Sequence, residues 1–324
     1  MKKSLSQPAG TNRGFALVIV IVIILLATFL ASQLILQVRT ELQVAHNIKL
    51  RGSGLFLAEA GINLGLFRLM DQPLALEEEN EEYQHFFHGY TYETTLANGR
   101  VSYYAVNESG KIDLNTLQRG LLDLFLQYHN LEPDQIETII DSLQDWTDPD
   151  PLHRLFGAEK DYYETLTPPY TPRDKNIVEP SEFFLIKGTE MLAGKFEAAE
   201  IFTVHNNTRK INFNSLTPAM LDFLTEGDPE KKAAYYEAQA LYINLNAAHA
   251  AEILGGERYA VLSPYLNFTS VNNSYYYIVS WGKKDYISEE EETPDRHIAG
   301  MKVSVLAEVK GTLHTLLSWK ADHS

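Results

Sequence analysis

Between Arg13 and Leu36 the chain reads RGFALVIVIVIILLATFLASQLIL, one basic residue opening into an unbroken apolar segment. The 22 residues from Phe15 to Leu36 carry no formal charge, and the polar ones among them, Thr28, Ser32 and Gln33, can share one helical face. A bilayer core takes about 20 apolar residues of helix, so the segment predicts a transmembrane helix over 15–36. Lys2, Lys3 and Arg13 precede it, and the next charge is Arg39. Excess positive charge marks the amino-terminal side as cytoplasmic, which places everything after about residue 40 outside the cytoplasm.

A secretory signal peptide has a short apolar core followed by a small-residue cleavage site. Here the apolar run is longer, and the small residue, Gly14, stands before it. That order of basic leader, glycine, phenylalanine and apolar helix resembles the type III signal of prepilins and pseudopilins. The resemblance implies that prepilin peptidase cuts after Gly14 and methylates Phe15, which makes residues 1–14 a leader. An uncleaved signal anchor is the alternative.

With 324 residues the chain can bury one large or two medium domains beyond the helix. Its net charge of −16 becomes three units more negative if the leader is removed. Such a surface repels phosphate backbones, since nucleic-acid binding rests on Lys and Arg. The charge therefore argues against nucleic acid as a partner, and hard cations such as calcium suit the surface better. The absence of cysteine removes disulfides, thiolate metal sites and thiol nucleophiles.

Beyond the span, Leu42, Ala45, Gly52, Leu55, Glu59, Ile62, Leu66 and Leu69 recur at spacings of three and four, which continues the helix over 37–72. Together the two parts amount to about 84 Å of helix. The apolar face is too broad for a strict coiled-coil seam, and Ala58, Ala60, Gly61 and Gly65 allow close approach to a sheet. An acidic run, EEENEE, follows Pro73 and reads as a solvated loop. Residues 90–106 give two strand-like runs joined at Asn98-Gly99, a hairpin signal. Three related pentads follow: KIDLN (111–115), KINFN (210–214) and YINLN (242–246). Each precedes a helix-like stretch that its final Asn could cap. The first of these units predicts helices near 117–129 and 133–145, hinged at 130–133. That layout resembles helix-hairpin-helix modules, but the hairpin has Glu132 and Asp134 where phosphate binders have glycines. Strand patterning returns at 274–282, 299–310 and 312–320.

With these parts placed, the chain is similar to the type II secretion system protein K family. The residues that carry the similarity are the leader with Gly14-Phe15, LAEAGINLGLFRL (57–69), SGKIDLN (109–115), DSLQDWTDPDPLHRLFGAEKDYY (141–163), PPYTPRDKN (168–176) and EPSEFFLIKG (179–188). The expected fold is α+β, a pilin-like long amino-terminal helix packed on an antiparallel sheet with a large helical (helix-hairpin-helix, SAM-like) insertion. The expected boundaries are 73–111 for the first part of the αβ domain, 112–270 for the insertion and 271–324 for the completing strands. Pseudopilins usually carry glutamate at the fifth mature residue, and here that residue is Ile19, which suits a tip position. The resemblance implies a non-enzymatic minor pseudopilin at the tip of a periplasmic pseudopilus, assembling with minor pseudopilins I and J and supporting export of secreted cargo. It also implies the inner membrane as the anchor. A minor pilin of a type IV pilus and a membrane-anchored DNA-uptake protein are the rival readings.

Asp145, Asp148, Asp150 and Glu159 form the richest carboxylate group in the sequence. Calcium takes six to eight oxygens from such groups, although Pro149 and Pro151 break any EF-hand spacing, and the family resemblance adds that calcium is bound. The competing expectation is that Asp148 and Asp150 end one helix, cap the next and pair with Arg154. Asp285, Glu289–Glu292 and Asp295 read as a solvated loop. The ten histidines form no His-x-x-x-His pair and no Ser/His/Asp arrangement.

Overall fold

The computed structural model describes residues 12–77, 86–96, 99–206, 208–242, 244–269, 273–284 and 300–323. Contacts divide the chain into Met1–Ser53 and Gly54–Ser324. The described part of the first unit is helical throughout, and its large apolar side chains from Phe15 to Ile48 are exposed. Its apolar window, with a mean hydropathy of 2.9, is long enough to cross a membrane.

Along the chain, α1 (Asn12–Glu77) is followed by β1 (Tyr92–Leu96), β2 (Gly99–Asn107) and the two-residue β3 (Ile112–Asp113). Next come α2 (Arg119–Tyr128), α3 (Pro133–Thr147), α4 (Lys160–Tyr163), α5 (Ala198–Ile201), β4 (Phe202–Thr203) and β5 (Ile211–Asn212). The chain then runs through α6 (Pro218–Thr225), α7 (Pro229–Leu241), α8 (Ala247–Leu254), α9 (Gly256–Leu262) and β6 (Leu266–Asn267). It closes with β7 (Tyr275–Lys284), β8 (Met301–Lys310) and β9 (Leu313–His323).

The main sheet is antiparallel in the order β1-β2-β7-β8-β9, so β3 to β6 and every helix after α1 are inserted between two adjacent strands. Alternation along the strands explains its two covered faces. Val101, Tyr103, Ala105, Ile278, Val303 and Val305 pack on Leu57, Ala58, Ile62 and Leu66 of α1. Tyr104, Val106, Tyr277 and Val279 point the other way and meet Ala199 of the insertion. Small residues set how closely α1 lies on the sheet. A Cβ at Gly61 would overlap the Ser280 side chain and Val101, and one at Gly54 would come within 3.0 Å of the Gly282 carbonyl oxygen. Ala58 between them is fully buried.

Two boundaries differ from the sequence expectation. The helix passes Pro73 and ends one turn later at Glu77, so the lost backbone donor and the crowding of the carbonyl four residues back shorten it without stopping it at the proline. Leu96 pairs with Gly99, which places Gly99 inside β2, while Asn98 lies outside the described residues. Most of the EEENEE run and the 285–295 carboxylate group also lie outside them.

The insertion has its own core, from Ile112 to Leu266, centred on Leu122, Phe125, Ile139, Phe183, Phe202, Phe213 and Phe223. It is built twice on one plan. β3 pairs in parallel with β4 and β5 with β6. In the first copy Asn115 donates to the Ile177 carbonyl at 2.9 Å and accepts from its N–H at 2.8 Å. In the second, Asn214 does the same to Leu245 at 3.0 and 2.6 Å. These two asparagines are therefore clamps on distant backbone, which corrects the expectation that they cap helices. α2 starts after Gln118 without a side-chain cap, and α6 starts after Thr217, whose hydroxyl accepts from Met220 N–H. Only the third pentad's Asn246 caps, accepting from Ala248 and His249.

Where the insertion meets the sheet, Lys111 and Glu108 form a buried ion pair at 2.5 Å, with side chains 1% and 3% exposed. The Lys111 ammonium also lies 3.9 Å from the Tyr277 ring centroid. Burial pulls its pKa down and Glu108 opposes that. Tyr104 donates to Glu200 at 2.9 Å, and Asn107 N–H to Ser215 Oγ at 2.8 Å.

Candidate functional site

The carboxylate group forms where α3 ends. Asp141, Asp145 and Asp148 are spaced four and three apart, which puts them on one helical face. Glu132 and Gln135 build a capping box at the start of α3, and Asp148 is its C-cap. From there the chain turns back through Asp150–Gly157 and passes over that face.

Asp145 is fully buried. It accepts from the Arg154 N–H at 3.0 Å and from the Arg154 guanidinium at 2.5 Å, and the same guanidinium reaches Asp148 at 2.6 Å. Asp141 accepts from Phe156 N–H at 3.2 Å. Asp150 is exposed and only holds its own turn, accepting from Leu152 N–H at 2.9 Å. A Cβ on Gly157 would overlap the Asp145 carboxylate, so the close pass of this loop requires glycine there.

Glu159 is 6% exposed. Its pKa is pushed up to about 7, first by burial and then by the charges of Asp145, Asp148, Asp174 and Asp150. One Glu159 oxygen, Oε1, and one Asp148 oxygen, Oδ1, are buried without a hydrogen-bond partner. Arg154 is the cation among these groups, and its guanidinium is held protonated by Asp148 and Asp145.

The structure thus brings together three of the four expected residues, Asp145, Asp148 and Glu159, and sets Asp150 at the rim. Of the competing expectation, Asp148 ends α3 and pairs with Arg154, whereas Asp150 holds only its own turn and the next helix, α4, starts after Glu159 with no side-chain cap. The sequence reading missed Asp141 and Asp174. The spacing of Asp141 ahead of Asp145 and Asp148 could have revealed it. Asp174 is brought in by a turn with φ of 53° whose N–H donates to the Trp146 carbonyl at 3.0 Å, and no periodicity announces that. Carboxylates with two orphaned oxygens are the donor chemistry of a hard cation such as calcium. Among the described residues no three His, Asp or Glu side chains are gathered as a finished metal cage, and the Arg154 guanidinium bridges Asp145 and Asp148.

Gly14 and Phe15 lie in the first turn of α1, and Ile19 in the next, 43% exposed. Most of the leader lies outside the described residues.

Residues 103–193 match the family described as Type II secretion system (T2SS), protein K. The candidate site lies wholly inside that stretch. A curated relative, type II secretion system protein K of Aeromonas hydrophila, is 30% identical over 91 residues, which are 27% of this chain and 28% of the relative. The aligned stretch therefore spans little more than a quarter of that relative's length. Among solved structures, the crystal structure of the GspK-GspI-GspJ complex from the enterotoxigenic Escherichia coli type 2 secretion system holds a similar chain. The TM-score is 0.48 at 14% identity, covering 89% of this chain and 100% of that one.

Proposed function

We propose that this chain, which carries at residues 103–193 a domain of the type II secretion system protein K family, is a minor pseudopilin of such a system and works without catalysis at the tip of its pseudopilus. One observation carries the reading. The matched stretch starts in β2 and runs into a helical insertion of an antiparallel sheet that packs on a helix beginning as an apolar segment of membrane length. On this reading prepilin peptidase cuts between Gly14 and Phe15, the inner membrane stores the subunit with its folded part in the periplasm, and minor pseudopilins I and J are its partners. The width added by the insertion suits the end of a fibre, where no subunit has to stack above it, and Ile19 in place of a carboxylate suits the same position. Secreted cargo is what the assembled fibre moves.

The test is intact mass and amino-terminal sequencing of the membrane-purified protein, with and without active prepilin peptidase. A chain beginning at methylated Phe15 only when the peptidase is active supports the reading. A chain retaining residues 1–14 under both conditions refutes it.

A second reading concerns the carboxylate site, which we propose takes calcium. It rests on the two orphaned buried oxygens of Asp148 and Glu159 and the unfavourable crowding of carboxylates around Glu159. Asp145, Asp148 and Glu159 would supply the ligands, with Asp150 at the rim. Calcium would neutralise charge there and lock the loop over α3. Calorimetric titration of the detergent-purified chain should show saturable heat that Glu159→Gln removes, and an athermal titration with no gain in thermal stability would count against the site.

A further inference from the structure

The five-stranded sheet ends differently on its two sides. At one edge β1 is five residues long, and its exposed side chains are Glu93 and Thr95. At the other, β9 runs from Leu313 to His323 and, among the described residues, pairs with β8 alone. An edge strand presents a row of unpaired N–H and C=O groups, which proteins ordinarily blunt by shortness, charge, proline or bulges. Shortness and charge blunt β1. In β9 the pairing skips Leu317, and Lys320 and Asp322 bring charge near its end. The seven residues before them, LHTLLSW (313–319), contain no formal charge and no proline.

The side chains along this edge are sorted by face, since directly paired residues of neighbouring strands share one. Leu316 pairs with Ala307 and Trp319 with Val305, and both β8 residues are fully buried in the core that α1 covers. Leu316 and Trp319 are nonetheless 48% exposed each, so the cover that α1 gives leaves them half open. On the opposite face Thr315 pairs with Glu308, Ser318 with Leu306 and Lys320 with Ser304, and all three β9 residues are exposed. The edge is therefore apolar on one face and polar on the other, with about half of its backbone groups directed outward between them.

One class of occupant meets both features. A lipid surface accepts leucine and tryptophan but leaves the backbone groups unpaired, which is costly in an apolar medium. A docked helix has its hydrogen bonds closed within itself and leaves the same row open. A second copy of this chain sets a net charge of −16 against an equal one. An extended strand of a different protein pairs the row and continues the pleat, with its apolar residues beside Leu316 and Trp319 and its polar ones beside Thr315, Ser318 and Lys320.

We propose that the free edge of β9 is a strand-addition site, which takes an amphipathic extended segment of another protein as a sixth strand of the sheet. The site belongs to the sheet and holds whether or not the leader is cleaved.

The experiment places the photo-crosslinker p-benzoylphenylalanine singly at Thr315, at Lys320 and, as a reference on the other edge, at Glu93, in the full-length chain in its native cells. The crosslinked peptides are then sequenced by mass spectrometry. The β8 partners of Thr315 and Lys320 are Glu308 and Ser304, four residues apart, which is about 14 Å along a strand. Adducts from 315 and 320 on one peptide of another protein, about four residues apart, are the expected result. A helix lying along the edge would separate them by about nine residues. Leu316→Lys and, separately, Trp319→Lys should each cut the yield about fivefold, the worth of one good cross-strand pair, in chains whose thermal unfolding matches the parent. An adduct to lipid or to a second copy of this chain, adducts spaced as on a helix or on unrelated peptides, an equal yield at Glu93, a yield indifferent to both lysine variants, or no adduct at 315 and 320 would each overturn the proposal.

Discussion

Replacing Glu159 with glutamine should stabilise the protein at alkaline pH in the absence of divalent cations. The carboxyl is displaced from 4.5 to about 7 by burial and by four neighbouring aspartates. The folded chain therefore holds that proton more tightly than the unfolded chain does. The stability this provides is full below pH 4.5 and is lost as pH rises through about 7. At about 1.4 kcal/mol for each tenfold change in proton affinity, the fold gives up at most about 3 kcal/mol above pH 7, and solvent screening brings that to about 1–2 kcal/mol. Glutamine keeps the shape and cannot ionise. In urea titrations of the detergent-purified chain with chelator present, Glu159→Gln should gain about 1–2 kcal/mol at pH 8 and nothing at pH 4.5. Calcium should reverse the order at pH 8, because Glu159→Gln removes one of its proposed carboxylate ligands and so weakens its stabilisation of the variant. A variant that is less stable at pH 8 with chelator, or equally shifted at both pH values, would refute the electrostatic account of this site.

Three further outcomes follow from the packing. Lys111→Met strands the buried Glu108 carboxylate 3% exposed and should cost about 3–5 kcal/mol; adding Glu108→Gln should return most of it in the same denaturation assay. Asn115→Ala and Asn214→Ala each remove two hydrogen bonds to distant backbone and should each cost about 2–3 kcal/mol, with hydrogen exchange rising at Ile177 in the first and at Leu245 in the second. Gly61→Val drives a side chain into Ser280 and Val101, so it should cost at least about 1–3 kcal/mol and expose amides of α1 and β7, whereas the same change at Gly52, where a Cβ meets nothing within 4 Å, should leave the packing intact.

The parts of this fold written in short-range periodicity could be read in advance. The apolar run announced α1, the three- and four-residue spacing announced its sheet-facing side, and period-two strands bounded by turn residues announced the β1-β2 hairpin and the returning strands. That the returning strands complete the hairpin's sheet across the insertion is legible from strand patterning, but that β7 is the strand beside β2 is not. The doubled plan of the insertion was only half visible. The pentads repeat openly, but what their asparagines do is settled by backbone 62 residues away for Asn115 and 31 for Asn214, beyond the range of any local pattern. The same limit applied at the carboxylate site. Asp145, Asp148 and Glu159 were legible as residue types, while the deep burial of Asp145 and the arrival of Asp174 depend on how a turn with positive φ is packed.

Asn107 and Tyr276 are register partners, although the entire insertion separates them in sequence. Pairing β2 with β7 from an unfolded chain would mean closing one very long loop, and contacts of such large sequence separation form slowly. The insertion's separate core eases that obstacle if it folds first, because the intervening chain is then already compact. Its folding would set the order of events, with the hairpin waiting on α1 and the sheet completed only when β7 is delivered beside β2. A lesion inside the insertion would then be felt as slow or failed closure of a sheet whose own sequence is unchanged.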